Sequence, residues 1–322
     1  MTVGTNSQVE RADTVAAFTH SRQTATQVRA ALRGVIFGKD AVVDQALACL
    51  LARGHALLIG APGSAKSQLM RSISTVFGLN MGLIRLNRST DVETLVHDGF
   101  ESLAAAPRRL SARDGRVPNH LLVVEDLNLA APLTLGALLD RMEAPEGTAP
   151  QPFHVFATCS PLSAQAINDA DRDRFMMQID MGYPDADGER RVILDSAGGL
   201  DRTPVRVASP EDLLDLQRMA VELPVGERVV EAILDLVRCA RPEDSDAPAE
   251  IRHAVRMGPG PRAGQALLRL ARARALIDGR PAPTLDDVRL MAPAVIKPRW
   301  VLDPSAAHAD ADALMDRLLQ RL

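Results

Sequence analysis

Residues 55–77 read HALLIGAPGSAKSQLMRSISTVF, and the eight in the middle, GAPGSAKS at 60–67, decide the fold. The run ALLI before them has strand length and character, while SQLMRSISTVF after them sets Leu69, Ile73 and Val76 on one helical face before Gly78 stops the helix. A strand that turns through two glycines straight into a helix leaves backbone N–H groups pointing out of the turn. The helix N-terminus adds partial positive charge, so the segment is built to surround an anion.

Within that loop Gly60 and Gly63 permit the tight turn, and Pro62, Ser64, Ala65 and Gln68 complete its wall. Lys66 is placed to meet the β and γ phosphates of ATP, and the Ser67 hydroxyl to ligate Mg2+. Ala65 stands where the general G-x-x-x-x-G-K-[ST] pattern has glycine. A methyl group is tolerable there only at negative φ, as at the start of a helix.

Working outward, four further apolar runs accompany HALLIGA: MGLIRLN from 81, HLLVVED from 120, FHVFATCS from 153 and FMMQIDM from 175. They lack apolar/polar alternation, which suits strands buried on both faces, and helical patterns lie between them. This predicts an α/β core with a parallel five-stranded sheet flanked by helices over residues 23–204. From 205 to 322 helix signals dominate, with SPED at 209 and TLDD at 284 as capping signatures, so an all-helical C-terminal domain is expected. Residues 1–22 are polar and weakly patterned, and a poorly anchored lead-in is expected there.

The 322 residues are 46% apolar and 24% charged, with 37 basic against 41 acidic side chains and a net charge of −4. That balance gives no global attraction to nucleic acid or an anionic membrane. One Trp and one Tyr leave no basic surface interleaved with aromatics, so no nucleic-acid partner is expected. There is no 18-residue apolar run and no basic-then-apolar leader, so a cytoplasmic protein off the membrane is expected. Cys49, Cys159 and Cys239 are scattered and read as buried thiols.

LLVVEDLNLA at 121–130 ends an apolar run in Glu125 and Asp126. Taken with the phosphate loop, ATCSP and DRDRF, these segments resemble the MoxR branch of AAA+ ATPases, over roughly residues 27–300. The resemblance implies a helical lid on the core, a homo-oligomeric ring (usually a hexamer), and ATP spent on remodelling a protein client, often one with a von Willebrand A domain. A chaperone-like role in metal or cofactor insertion is one form of that activity.

By the same resemblance Arg174 in DRDRF is the arginine finger aimed at a neighbouring subunit's site, with Arg172 its rival. Arg262 in GPGPR is the sensor-2 arginine that couples the lid to the γ-phosphate. Ile36, Phe37 and Gly38 match the segment that packs on adenine. The acid pair is the reverse of the usual order, so Glu125 is assigned to the magnesium as first residue out of its strand, and Asp126 to polarising the attacking water. Ser160 occupies the place of a water-orienting Asn. The shorter reach of Asp126 and Ser160 predicts slow hydrolysis. The alternative is a hydrolysis-impaired scaffold in which bound nucleotide stabilises the ring.

Overall fold

The computed structural model describes residues 3–95, 101–103, 116–144, 151–197, 203–305 and 310–322. In chain order the core runs α1 (Val3–Arg33), α2 (Asp40–Leu51), β1 (Ala56–Ile59), α3 (Lys66–Phe77), β2 (Met81–Arg85), α4 (Val92–Thr94), β3 (Glu101–Leu103), β4 (Arg116–Pro118), β5 (Leu121–Glu125), α5 (Pro132–Met142), β6 (His154–Cys159), α6 (Asp169–Asp173), β7 (Met177–Asp180) and α7 (Ala186–Ala197). The lid follows as α8 (Pro210–Glu222), α9 (Glu227–Cys239), α10 (Ala249–Ala254), β8 (Val255–Met257), α11 (Pro261–Ile277), α12 (Leu285–Ile296), β9 (Val301–Leu302) and α13 (Ala311–Leu319).

The five expected strands form one sheet in the order β2-β5-β6-β1-β7, all parallel. Because side chains alternate across a strand, each run feeds two cores. Leu58, Leu121, Val123, Phe156 and Ile179 face one side, where Leu69, Ile73 and Val76 of α3 and the lid helices close over them. Leu57, Ile59, Leu122, Val124, Val155 and Ala157 face the other, under Leu138, Leu139 and Met142 of α5. Burial on both faces is why these strands read as unbroken apolar runs. β3 and β4 make a separate antiparallel pair.

Ser209 with Asp212 and Thr284 with Asp287 form the two expected capping boxes of the helical lid. One feature interrupts that helical pattern: β8 and β9 pair antiparallel, a two-strand ribbon too short to leave a periodic signal. A poorly anchored lead-in was expected over residues 1–22. α1 runs through it, and from Ser21 onward Ala25, Val28 and Leu32 recur at helical spacing as a buried face against the rest of the molecule. Arg29 Nε donates to Asp44 Oδ1 of α2 over 2.7 Å, and Arg29 Nη1 donates to Asp278 Oδ1 beyond α11 over 3.0 Å. Arg274 of α11 reaches the same Asp44 at 3.4 Å, so one buried carboxylate ties α1, the core and the lid together.

The three cysteines are buried and unbridged. Among the described residues no helix is long and apolar enough to cross a membrane.

Candidate nucleotide site

The loop 60–67 joins β1 to α3 at the end where the parallel strands finish. Gly60 is required by crowding, since a Cβ there would lie 2.6 Å from Met181 Cβ and from Ser64 Oγ. Gly63 has φ +80°. Ala65 departs from expectation: its φ is +67°, in the left-handed region, and it serves as N-cap of α3. The loop forces this backbone in spite of the methyl group, at a cost of roughly 1–2 kcal/mol.

Lys66 Nζ lies inside the loop's curve, donating to Gly60 O at 2.7 Å and Ala61 O at 2.9 Å, with Ser64 Oγ at 3.4 Å. Burial pushes its pKa below the ordinary lysine value, against the pull of Cys159, Asp126 and Glu125. An ammonium so placed, beside the amides of a turn and a helix N-terminus, fits a polyphosphate chain. Gln68 is exposed on the first turn of α3, and Pro62 is exposed at the tip of the loop.

Ser67 Oγ donates to Glu125 Oε1 over 2.7 Å. Glu125 is the last residue of β5, still in register with Arg85 of β2, and not the first residue beyond the strand. Burial opposes its charge, yet hydrogen bonds from Ser67 and Arg85 hold its carboxyl below the usual range. A hydroxyl and an ionised carboxylate at contact, one at a loop's end and one at a strand's end, are a donor pair suited to a magnesium ion that also takes phosphate and water oxygens.

Asp126 follows at φ +59°, its side chain 48% exposed and 3.8 Å from Arg85 Nε. Ser160 adjoins the tip of β6, but its hydroxyl is engaged at 2.9 Å by Ser163 Oγ and accepts from Ser163 N. Cys159 beside it is buried, and burial pushes its thiol up to about 11.

Of the residues expected to pack on adenine, Ile36 is buried, and Phe37 lies under the Arg191 guanidinium at 5.9 Å. Gly38 has φ +65° and no room for a Cβ, which would come within 2.8 Å of Asp185 Oδ1.

Two residues that the sequence reading passed over join this end of the sheet. Lys39, one position beyond Gly38, is buried and donates through Nζ to Ser64 O at 2.8 Å, Met181 O at 2.5 Å and Gly182 O at 2.6 Å. It clamps the phosphate loop to the chain leaving β7. Burial, then the charge of Lys66, pushes its pKa down. Arg85 grips Glu125 Oε2 through Nη2 at 2.7 Å and Nε at 3.1 Å. A charged residue closing an apolar strand was the signal for Arg85; a lysine following Gly38 carried none.

The arginines fall elsewhere. Arg174 caps α6 just before β7, and Met176 N donates to His55 O ahead of β1, so Arg174 belongs to the end where the strands begin. Four residues of β1, about 13 Å, separate that end from the loop. Arg174 therefore cannot serve its own loop. It meets Glu143 Oε2 at 2.9 Å. Arg172 is turned inward, donating to Ala164 O and Ile167 O. Arg262, expected at the nucleotide, lies instead beside Arg174: it reaches Glu143 Oε1 at 3.3 Å and Asp173 Oδ2 at 3.5 Å, with its side chain 58% exposed. The packing of α11 on α2, α8 and α12 carries its N-terminus to the starting ends of the strands, away from the phosphate loop.

A phosphate loop on a five-stranded parallel sheet, an acid pair at the end of β5, one strand removed from β1, and a helical lid are the features of a P-loop ATPase of the AAA+ class. In agreement, the profile of the ATPase family associated with various cellular activities matches residues 55–177, and that of the AAA lid domain residues 249–318. The chain is 28% identical over 301 residues to Chaperone MoxR1 of Mycobacterium tuberculosis, covering 90% of this chain and 79% of that one. It is 27% identical over 317 residues to Protein MoxR of Paracoccus denitrificans, covering 90% and 92%. A solved structure of a candidate ATPase from Cytophaga hutchinsonii superposes with a TM-score of 0.83 at 20% identity, over 98% of each chain, and shows the same fold. The two AAA profiles and these relatives support a MoxR-type AAA+ ATPase.

Proposed function

We propose that this chain binds Mg-ATP at the 60–67 loop, assembles into a ring, most simply a hexamer, and uses the nucleotide to remodel or activate a protein client. The carrying observation is the split between the two ends of the sheet. Lys66, Ser67, Glu125 and Asp126 gather at one end, while Arg174 and Arg262 share Glu143 at the other. In a ring of identical chains the second end of one subunit supplies what the first end of the next lacks.

Lys66 would pair with phosphate oxygens, and the loop amides with the same anion. Ser67 and Glu125 would hold magnesium, which when bound neutralises phosphate charge. Asp126 would orient and polarise water. Arg174 from the adjoining subunit would stabilise charge on the transferred group, an effect on the order of 10³-fold or more where such fingers act; Arg262 beside it would work on the same side. Ile36, Phe37 and Gly38 would flank adenine. The Mycobacterium relative is called a chaperone, which supports a protein client; a partner with a von Willebrand A domain, and metal or cofactor insertion, fit the same reading.

Slow turnover is part of this proposal. The short carboxylate of Asp126 sits on left-handed backbone, and the Ser160 hydroxyl is committed to Ser163. These two observations also favour the second reading, a ring stabilised by ATP that hardly hydrolyses it.

Mixed rings test the proposal. Lys66→Ala and Arg174→Ala chains, each inactive alone, should regain ATP turnover when combined, because some interfaces then pair an intact loop with an intact finger. Absence of recovery in rings shown to be mixed would reject action between subunits. Single-turnover phosphate release from the wild type, against the paired change Glu125→Asp and Asp126→Glu, separates slow enzyme from scaffold.

A further inference from the structure

Helix α5 carries a glycine that its own chain does not explain. Gly136 sits within the helix, where glycine is weaker than alanine, yet a Cβ there would meet nothing within 4 Å. It opens onto a hollow of about 290 Å³, walled by Leu127, Leu135 and Ile167, with Asn168 and Asp171 along one edge. The hollow has room for an aliphatic side chain. Its apolar walls belong to the core on the α5 side of the sheet.

Helix α7 has the converse property, side chains with nothing to cover them. It packs on its own chain through its first turn, where Gly188 is buried and a Cβ on it would come 2.8 Å from Gly38 Cα. From Glu189 to Leu194 every residue is exposed, Ile193 by 62% and Leu194 by 60%. The two segments that meet at Gly188 and Gly38 send Ile36 and Met181 into the core on the α3 side of the sheet. The sheet therefore stands between α7 and the hollow of its own chain. Only a second copy can bring the two together.

We infer that the hollow beside Gly136 is the socket for Ile193 and Leu194 of a second copy of this chain. Charge agrees with this occupant. Arg190, three and four positions before those two, lies on their face of α7, while Asp171 edges the hollow and Asp169 stands exposed beside it. None of the three charges has an ion-pair partner among the described residues. The inference rests on the ring reading above and specifies its contact. α6 leads from Asn168 at the hollow to Arg174, and α7 is held at Gly38, so the finger-bearing face of one subunit meets the nucleotide face of the next. Knob and socket are different surfaces, so each chain uses both once, as a closed ring requires.

Mass photometry and light scattering of the full chain with Mg-ATP test this. Wild type should form rings. Gly136→Leu, which fills the socket, and Ile193→Glu, which puts a carboxylate on the knob, should each raise the concentration for half-assembly at least about tenfold. Gly136→Leu replaces a weak helix former where there is space, so its melting temperature without nucleotide should hold or rise, which separates lost assembly from lost fold. Mixed together, the two variants should pair one to one and stop there, since each supplies the surface that the other lacks. A ring that persists in either variant, or a mixture that gains no dimer, would overturn the proposal; persistence in Gly136→Leu would leave the hollow to a client segment. A wild type that stays monomeric with Mg-ATP would overturn the ring reading itself, and this contact with it.

Discussion

Ser67 and Glu125 are in direct contact, hydroxyl to carboxylate, while the adjacent Asp126 faces Arg85 at longer range and is half exposed. Two acids one residue apart thus occupy different surroundings, and their removal should have different kinetic signatures. Glu125→Gln should raise the magnesium concentration needed for half-maximal ATP turnover about tenfold, because the charge beside Ser67 is lost. Asp126→Ala should leave nucleotide binding intact and lower kcat about 10²-fold, the usual scale for a proton acceptor. Steady-state phosphate release at graded magnesium decides it; if the two signatures are exchanged, so are the roles.

Ala65 offers a test of the loop through stability. Its φ of +67° is comfortable for glycine and strained for alanine. Ala65→Gly should therefore stabilise the chain by about 1 kcal/mol, the strain relieved less the added freedom of glycine when unfolded. Urea unfolding without nucleotide reads this directly. A loss of stability would mean that Ala65 keeps helical dihedrals.

Lys39 directs its ammonium to three backbone carbonyls and so fixes the shape of the loop. Lys39→Met would leave three carbonyls, those of Ser64, Met181 and Gly182, without their shared donor. The expected result is a rise of about tenfold in the Kd for ATP, each hydrogen bond to a charged donor being worth roughly 1.5–3 kcal/mol. Lys39→Gln, with an amide in place of the ammonium, should recover part of the affinity. Fluorescent-nucleotide titration measures both, and an unchanged Kd in Lys39→Met would remove this residue from the site.

The residues that were legible in the sequence are those whose role is local. Leu57 and Leu58, buried on opposite faces, could only belong to a covered strand, and Gly60, Lys66 and Ser67 sit in a loop whose chemistry is set by spacing. What was hidden depends on distant packing. Arg262 looked like a nucleotide ligand because it opens a lid helix, but where that helix points is decided by its contacts with α2, α8 and α12. Residues 1–22 gave only a weak pattern, and the anchoring of α1 draws on Arg29 reaching Asp44 and Asp278, 15 and 249 positions away. Lys39 acts through backbone oxygens, which leave no mark in side-chain identity.

Acid should loosen the seam between core and lid through His154. This ring is buried, its Nδ1–H donating to Gly54 O at 2.9 Å while its Nε2 accepts from the Gln217 amide of α8, also at 2.9 Å. A second proton on Nε2 would face the amide donor, and burial pushes the His154 pKa down to about 4 from an ordinary value near 6.5. The folded value lies below the unfolded one, so the unfolded chain takes up the proton first. Stability from this group is complete above about pH 6.5 and is lost as pH falls toward 4, by about 2 kcal/mol between pH 7 and pH 5. His55, buried nearby and pushed down to about 3, adds in the same direction. Urea midpoints across pH 7 to 5 should fall accordingly, and His154→Gln should flatten the slope by up to about half, the remainder coming from His55 and from His120, whose pKa burial also lowers. A midpoint that stays level over this range in the wild type would show that neither histidine is held neutral by the fold.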